Sequence, residues 1–339
     1  MTTAIASTPC REMENTMTQT MKALIGTAGP KWELAEVPRP AAGPGEILVH
    51  VQAAATNEVD RLQLRDDGTA GQVAGYEFVG RVAALGEGVT AWQTEDAVMG
   101  TAPRAFAEYV VVDAGHVIAV PAGLDPAIAA AVPVGLSAEL GALRKAGFAA
   151  GDTVLITGAS TGIGLLGAQL AKALGAAAVL GTTRSPGKRD LLAAAGVDTV
   201  IVTGQDDLAE TVLAATGGEG VDLVLDHVAG QTFADCLPLT RRDGRVVNIG
   251  RLDGPAATID IDALSYRNLT VYGVSFSASR PDELGTILAA LEEEAVPAVL
   301  DGRIRPVIDR TADWEEHAVA AARLVSCDAR GKLVLAIDA

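Results

Sequence analysis

The run Thr157-Gly158-Ala159-Ser160-Thr161-Gly162-Ile163-Gly164 sets three glycines and three hydroxyls between an apolar stretch, Val154–Thr157, and an apolar helical pattern over Gly164–Leu174. Glycines at such a junction allow a tight turn and let the backbone approach a ligand closely. The helix N-terminus adds amide N–H groups and a partial positive charge, which together suit the pyrophosphate of a dinucleotide. Gly158, Gly162 and Gly164 are the expected turn residues. About 20 residues further on, a site for NAD carries an acid that binds the ribose hydroxyls. Here the chain reads Gly181-Thr182-Thr183-Arg184-Ser185-Pro186-Gly187-Lys188-Arg189, with no acid. Arg184, Lys188 and Arg189, with the hydroxyls of Thr183 and Ser185, form a set suited to a 2′-phosphate, so NADPH is the expected cofactor. A solvated basic loop is the alternative.

The elements that must position this turn alternate along the middle of the chain. Strands are expected at Val154–Thr157, Ala178–Thr182, Thr199–Val202, Val221–Asp226, Arg245–Ile249 and Thr270–Ser275. Helices are expected at Gly164–Leu174, Gly187–Ala195, Asp206–Thr216 and Phe233–Leu239. Such alternation predicts a doubly wound parallel sheet, hence an α/β fold. The stretch before it is strand-rich: Met21–Gly26, Ile47–Ala54, Phe78–Ala84, Ala107–Val112 and Val117–Val120, separated by Gly and Pro turns. Asp125–Ala146 is helical in pattern, with Pro133 and Gly135 expected to break it, and helices at Pro281–Glu293 and Thr311–Leu324 precede a closing strand, Gly331–Ile337.

Composition narrows the function classes. The 339 residues carry a net charge of −17, which disfavours nucleic acid as a partner. Hydrophobic residues make up 49% and aromatics only 4%, so the core must be aliphatic. Cys10, Cys236 and Cys327 are too scattered for a zinc ribbon or a disulfide framework, and a reducing cytoplasm is expected. Gln169 and Lys172 interrupt the most apolar stretch, so no membrane span is expected, and residues 1–20 read as an N-terminal extension without a signal-peptide core.

The glycine-rich turn resembles that of short-chain dehydrogenases, which need Tyr-x-x-x-Lys. Four residues after Tyr76, Tyr109, Tyr266 and Tyr272 stand Gly80, Asp113, Thr270 and Phe276, so that family is set aside. From Met21 onward the chain instead resembles the medium-chain dehydrogenase/reductase superfamily, in its zinc-independent quinone oxidoreductase and enoyl reductase branch. The resemblance rests on ordered segments: Met21-Lys22-Ala23-Leu24, Asn57-Glu58-Val59-Asp60, Gly75-Tyr76-Glu77-Phe78, Ala105-Phe106-Ala107-Glu108-Tyr109, the glycine-rich turn, Asp226-His227-Val228-Ala229-Gly230, Gly244-Arg245-Val246-Val247 and Gly331-Lys332-Leu333-Val334. It implies a GroES-like β-rich catalytic domain from residues 21–140 and 276–339, around a Rossmann NADP-binding domain at 141–275. It also implies a homodimer joined at Thr270–Phe276.

Zinc members hold the metal on Cys and His. The matching positions here, Ala54–Asn57 and Tyr76, offer neither, so no metal is expected. The resemblance implies hydride transfer to an activated C=C bond, with quinone reduction as the alternative and a non-catalytic NADPH-binding protein as a third reading. It places Asn57, Asp60 and Tyr76 at the catalytic cleft, with turn capping as the alternative for the first two and a partly buried core tyrosine for the third. For the cofactor it carries over Ser137, Ser160, Thr161, Gly162, Ile163, Thr183, Arg184, Lys188, Thr203, Asn248, Gly250 and Phe276. Thr203 departs from the family's adenine-stacking tyrosine, and Arg65–Gly75 is shorter than usual and lacks a proline. His227, after the fourth strand, reads as a surface-loop histidine, with a place near the cofactor as the alternative.

Overall fold

A computed structural model describes residues 19–65, 67–276, 280–326 and 329–338. The extension up to residue 18, with Cys10, and also Cys327, lie outside the described residues. The β-rich part begins with β1 (Thr20–Thr27), β2 (Gly29–Pro38) and β3 (Glu46–Ala55). It continues through α1 (Glu58–Gln63), β4 (Glu77–Leu85), β5 (Ala97–Thr101), β6 (Tyr109–Asp113) and β7 (Val117–Ala119). Helices α2 (Pro126–Ala130) and α3 (Pro133–Lys145) follow. The middle of the chain is β8 (Thr153–Ile156), α4 (Gly162–Ala173), β9 (Ala178–Thr183), α5 (Arg189–Ala194), β10 (Thr199–Val202) and α6 (Leu208–Ala215). Then come β11 (Val221–Asp226), α7 (Gly230–Cys236), β12 (Thr240–Asn248), α8 (Ile261–Tyr266) and β13 (Thr270–Gly273). The last elements are α9 (Pro281–Glu294), α10 (Val296–Leu300), β14 (Ile308–Asp313), α11 (His317–Ser326) and β15 (Lys332–Ala336).

Two sheets dominate. The middle strands form a parallel six-stranded sheet in the order β10-β9-β8-β11-β12-β13, the doubly wound arrangement whose order reverses between β8 and β11. The second sheet runs β14-β15-β3-β4-β5-β7, with β6 also on β3. Its β15 comes from the far end of the chain and pairs antiparallel with β3, Val334 opposite Ala55. Together the two sheets and their helices make an α/β fold, GroES-like in the second sheet and Rossmann-like in the first, as the sequence implies.

The core is aliphatic. Leu136, Leu140 and Leu143 of α3 pack with Leu284, Leu288 and Leu291 of α9 in one buried cluster. Burying each such leucine stabilises the fold by about 1.5–3 kcal/mol. Helix α2 begins where Asp125 accepts from the Ala127 and Ile128 amides at 2.8 and 3.3 Å, with Pro126 in the first turn. The break expected near Pro133 falls before it, because proline tolerates the first helical position. Gly135 lies inside α3, where a Cβ would come within 2.5 Å of Leu166 Cδ1 on α4.

Some local expectations change. Thr311–Asp313 belongs to strand β14 rather than to a helix, and α11 begins at His317. Strands β2 and β5 and helices α1, α8 and α10 carry weaker patterns and lie outside the sequence expectation. Among the described residues, no helix is long and apolar enough to cross a membrane.

Candidate active site

The phosphate turn is built from residue types that leave the backbone no other choice. Gly158 has φ +63°, in the left-handed region, and a Cβ on Gly164 would lie 2.7 Å from Ala159 Cα. Thr161 caps α4: its hydroxyl accepts from Gly164 N at 3.1 Å and donates to Gly158 O at 2.9 Å. Gly158 N donates to Thr182 Oγ1 at 2.9 Å, pinning the turn to the end of β9. The result is a cradle that side chains would fill, at the N-terminus of a 12-residue helix and at the sheet's switch point. These residues fit a dinucleotide pyrophosphate.

The segment entering β15 faces this cradle. A Cβ on Gly162 would stand 3.0 Å from Lys332 Cγ. Lys332 carries its ammonium into a buried network. Its Nζ donates to Asn57 Oδ1 at 3.0 Å and pairs with Glu77 Oε2. Asn57 Nδ2 donates to Glu77 Oε2 at 3.0 Å and to Ala55 O at 3.3 Å, so both of its amide hydrogens are engaged. Glu77 Oε1 accepts the Val134 amide at 2.7 Å, in the first turn of α3. A fully buried carboxylate is thus offset by one ammonium and by the positive end of a helix. The network ties β4, α1, α3 and β15 together at the edge of the cleft.

Asp60 completes α1 from within. Its Oδ2 accepts the Asn57 amide at 2.7 Å in a reciprocal capping box. Its Oδ1 is buried without a hydrogen-bond partner. Burial pushes the Asp60 carboxyl up to about 7, against the opposing pull of the Asn57 amide and the Lys332 charge. Tyr76 is half-buried, and its hydroxyl oxygen accepts from Gln63 Nε2 at 2.8 Å, which leaves the hydroxyl hydrogen to be donated elsewhere.

The other cofactor candidates divide into two groups. Thr183 Oγ1 donates to Ser160 Oγ at 2.9 Å and accepts from Ser185 N at 3.2 Å, so both hydroxyls stiffen the loop after β9. Thr203 Oγ1 donates to Thr183 O at 3.0 Å. Arg184 is exposed, and Lys188 Nζ donates to Ala329 O at 2.9 Å. Arg189 is drawn away from this group by Asp206, 2.7 Å from its Nη2. The second group is turned inward. Ser137 Oγ donates to Val134 O at 3.1 Å, and Asn248 Nδ2 donates to Asp226 Oδ2 and Gly250 O, both at 2.9 Å. Gly250 sits where a Cβ would come within 2.4 Å of His227 O, and Phe276 lays its ring on Gly141 of α3. Ile163 is half-buried in the first turn of α4.

His227 is not on the surface, as the sequence implied. It is buried behind the phosphate turn, with Nε2 2.6 Å from Glu139 Oε1 and Nδ1 2.9 Å from Thr157 O. Burial alone would lower its pKa, but the Glu139 carboxylate and the Thr157 carbonyl outweigh burial and hold the imidazolium above its ordinary range. Glu77, Glu139 and Lys332 also belong to the site, beyond the residues that the sequence motifs single out. A lysine and an acid at the heads of apolar strands, Lys332-Leu-Val-Leu and Glu77-Phe-Val, were the available signal. Among the described residues, no group of three His, Cys, Asp or Glu side chains is arranged to hold a metal ion.

Two family models match the chain. The alcohol dehydrogenase GroES-like domain covers residues 43–122, and the zinc-binding dehydrogenase domain covers residues 162–293. A mycocerosic acid synthase-like polyketide synthase of Mycobacterium tuberculosis is 33% identical over 89% of this chain, which spans only 15% of that protein's length. A mycobacterial quinone oxidoreductase structure is 27% identical, with a TM-score of 0.82, over 94% of this chain and 100% of that one. The CurK enoyl reductase, 24% identical over 94% of this chain and 99% of its own, shares the fold with a TM-score of 0.81. The chain belongs to the medium-chain dehydrogenase/reductase superfamily of nicotinamide-dependent oxidoreductases, and among solved members it is similar to a quinone oxidoreductase.

Proposed function

We propose that this protein is an NADPH-dependent, zinc-independent reductase that adds hydride to an activated C=C bond of an enone, enal or enoyl thioester. The observation that carries the reading is the loop after β9. It has no acid for a ribose hydroxyl, and it presents Arg184 and Lys188 in a chain of net charge −17. The reading keeps 21–140 with 276–339 as the catalytic part and 141–275 as the cofactor part.

A bound reduced nicotinamide supplies the hydride. The hydride bonds to the substrate β-carbon, the C=C electron pair moves toward the carbonyl, and the resulting enolate takes a proton at its α-carbon. Tyr76 is assigned as the proton donor, because Gln63 occupies its oxygen and leaves its hydrogen to give. Asn57 and Asp60 are assigned as positioning residues: Lys332 and Glu77 fix the Asn57 amide, and Asp60 fixes the backbone that presents it. Gly158, Ser160, Thr161, Gly162, Ile163 and Gly164 are assigned to the pyrophosphate, and Thr183, Arg184 and Lys188 to the 2′-phosphate. Ser137, Thr203, Asn248, Gly250 and Phe276 are assigned to shaping the rest of the cofactor cleft.

The test is oxidation of NADPH with an α,β-unsaturated carbonyl and a quinone offered separately, and with NADH as control. Turnover of the unsaturated carbonyl with NADPH preferred is the expected result. Turnover of the quinone alone would establish the second reading, which the likeness to the mycobacterial quinone oxidoreductase favours. Tyr76→Phe is expected to lower kcat on the unsaturated carbonyl by about 10²–10⁴-fold with cofactor affinity retained. An undiminished kcat would remove Tyr76 from the reaction.

A further inference from the structure

We propose that Arg330, carried by the segment entering β15 and not by the Rossmann unit, is a specificity-determining residue that closes the 2′-phosphate subsite from across the cofactor cleft. The inference rests on the NADPH reading above.

The geometry begins with consecutive contacts from one segment to one loop. Lys188 Nζ donates to Ala329 O at 2.9 Å, and Arg330 Nη2 lies 3.5 Å from Gly187 O. The segment is itself anchored, because Arg330 N donates to Asp309 Oδ1 at 3.0 Å. Asp309 does not hold the Arg330 guanidinium. Its carboxylate is engaged by Arg323, whose Nη2 is 2.8 Å from Oδ1, and that pairing keeps its pKa below the usual carboxylate range. Among the described residues, Arg330 makes no ion pair, whereas its neighbour across the loop, Arg189, is bound to Asp206. The chain has 43 acidic side chains and only 26 basic ones. An exposed arginine that reaches Gly187, in the loop that also carries Arg184, and has no ion pair of its own is placed for an external anion.

The chemistry selects the anion. A guanidinium presents a planar fork of donors that meets two phosphate oxygens at once, while an ammonium acts as a point charge. The Ser185 hydroxyl and the Arg184 guanidinium lie on the same loop. The subsite thus takes a phosphomonoester on the adenosine ribose. Because the same segment runs on to Lys332, the contact made by Arg330 is physically continuous with the Asn57–Glu77–Lys332 network.

The experiment measures dissociation constants of NADPH, NADH and adenosine 2′-monophosphate by fluorescence titration, for the intact protein and for Arg330→Gln and Arg330→Lys. The expected result is that R330Q weakens NADPH and adenosine 2′-monophosphate about tenfold while NADH changes less than about twofold, with R330K between. Two results would overturn the proposal: unchanged NADPH affinity in R330Q, or equal weakening of NADPH and NADH, which marks a merely structural arginine. Equal affinities of the unmodified protein for NADPH and NADH would overturn the NADPH reading itself, and this inference with it. Measuring the unmodified protein first separates that failure from a failure of Arg330 alone.

Discussion

The pair Glu139–His227 illustrates how much of a site can lie behind it. The two side chains are 88 positions apart in sequence, are exposed by 0 and 2%, and meet beneath Thr157. Nothing in the local sequence of either residue announces the other, so the histidine read as a loop residue. The glycine-rich turn was legible because all its determinants sit within eight consecutive residues. Breaking a buried pair by removing one charge costs about 3–5 kcal/mol. The pKa of His227 is raised in the folded protein, so the pair's contribution is complete below the unfolded value of 6.5 and is lost as pH rises through the folded value. Glu139→Gln is therefore expected to lower the thermal midpoint strongly at pH 6 and less at pH 9. A penalty independent of pH over that range would mean that the imidazole is neutral in the fold. Asp60 has the same sign for a different reason. Its carboxyl is raised to about 7 by burial, so it favours the folded state below 3.8 and progressively loses that contribution as pH climbs toward 7. Asp60→Asn keeps an acceptor for the Asn57 amide, and is expected to flatten stability against pH in that window.

At the level of elements, the parallel strands were legible because buried strands read as short apolar runs, and their helices because Thr161 and Asp207 supply N-caps. Strand β2 was hidden because Lys31, Glu33 and Glu36 are exposed along it, leaving Trp32 as its one buried anchor. The end of strand β14, Thr311–Asp313, carries a helical signal because it runs into the amphipathic pattern of α11. The crossing of α3 and α4 shows what a propensity argument misses. Gly135 in α3 and Gly167 in α4 sit mid-helix at a cost of about 1 kcal/mol each relative to alanine. Both are required by close approach: a Cβ on Gly135 would be 2.5 Å from Leu166 Cδ1, and one on Gly167 would be 2.6 Å from Glu139 Cδ. Gly167→Ala is expected to destabilise the protein by about 1–3 kcal/mol in urea unfolding, because His227 holds the carboxylate that would have to move. Combined with Glu139→Ala, the two effects should sum to less than their separate costs. Simple additivity would show that the helix contact and the buried pair are independent.

For the molecule as a whole, the order of motifs along the chain made the α/β fold class legible, because each motif belongs to one element and the elements occur in fixed order. The network of Asn57, Glu77 and Lys332 was not foreseen, because it exists only once β15 has returned from the far end of the chain to pair with β3. At the C-terminal edge of the parallel sheet, β13 pairs among the described residues with β12 alone, and Val271 on it is 43% exposed. The segment leading to it exposes Leu252, Ile261 and Tyr266, at 40, 60 and 74%. An unpaired edge beside exposed apolar side chains invites association, and a stable interface needs about 1,200–2,000 Å² of buried surface. A homodimer joined through β13 would pair the two edges and cover those side chains. The expected outcome is a dimer by sedimentation at micromolar concentration, shifted toward monomer by Val271→Lys, which places a charge on the pairing strand, and by Tyr266→Glu. Sedimentation of the unmodified protein as a monomer would rule the dimer out. A dimer that withstands both substitutions would place its interface elsewhere than the sheet edge.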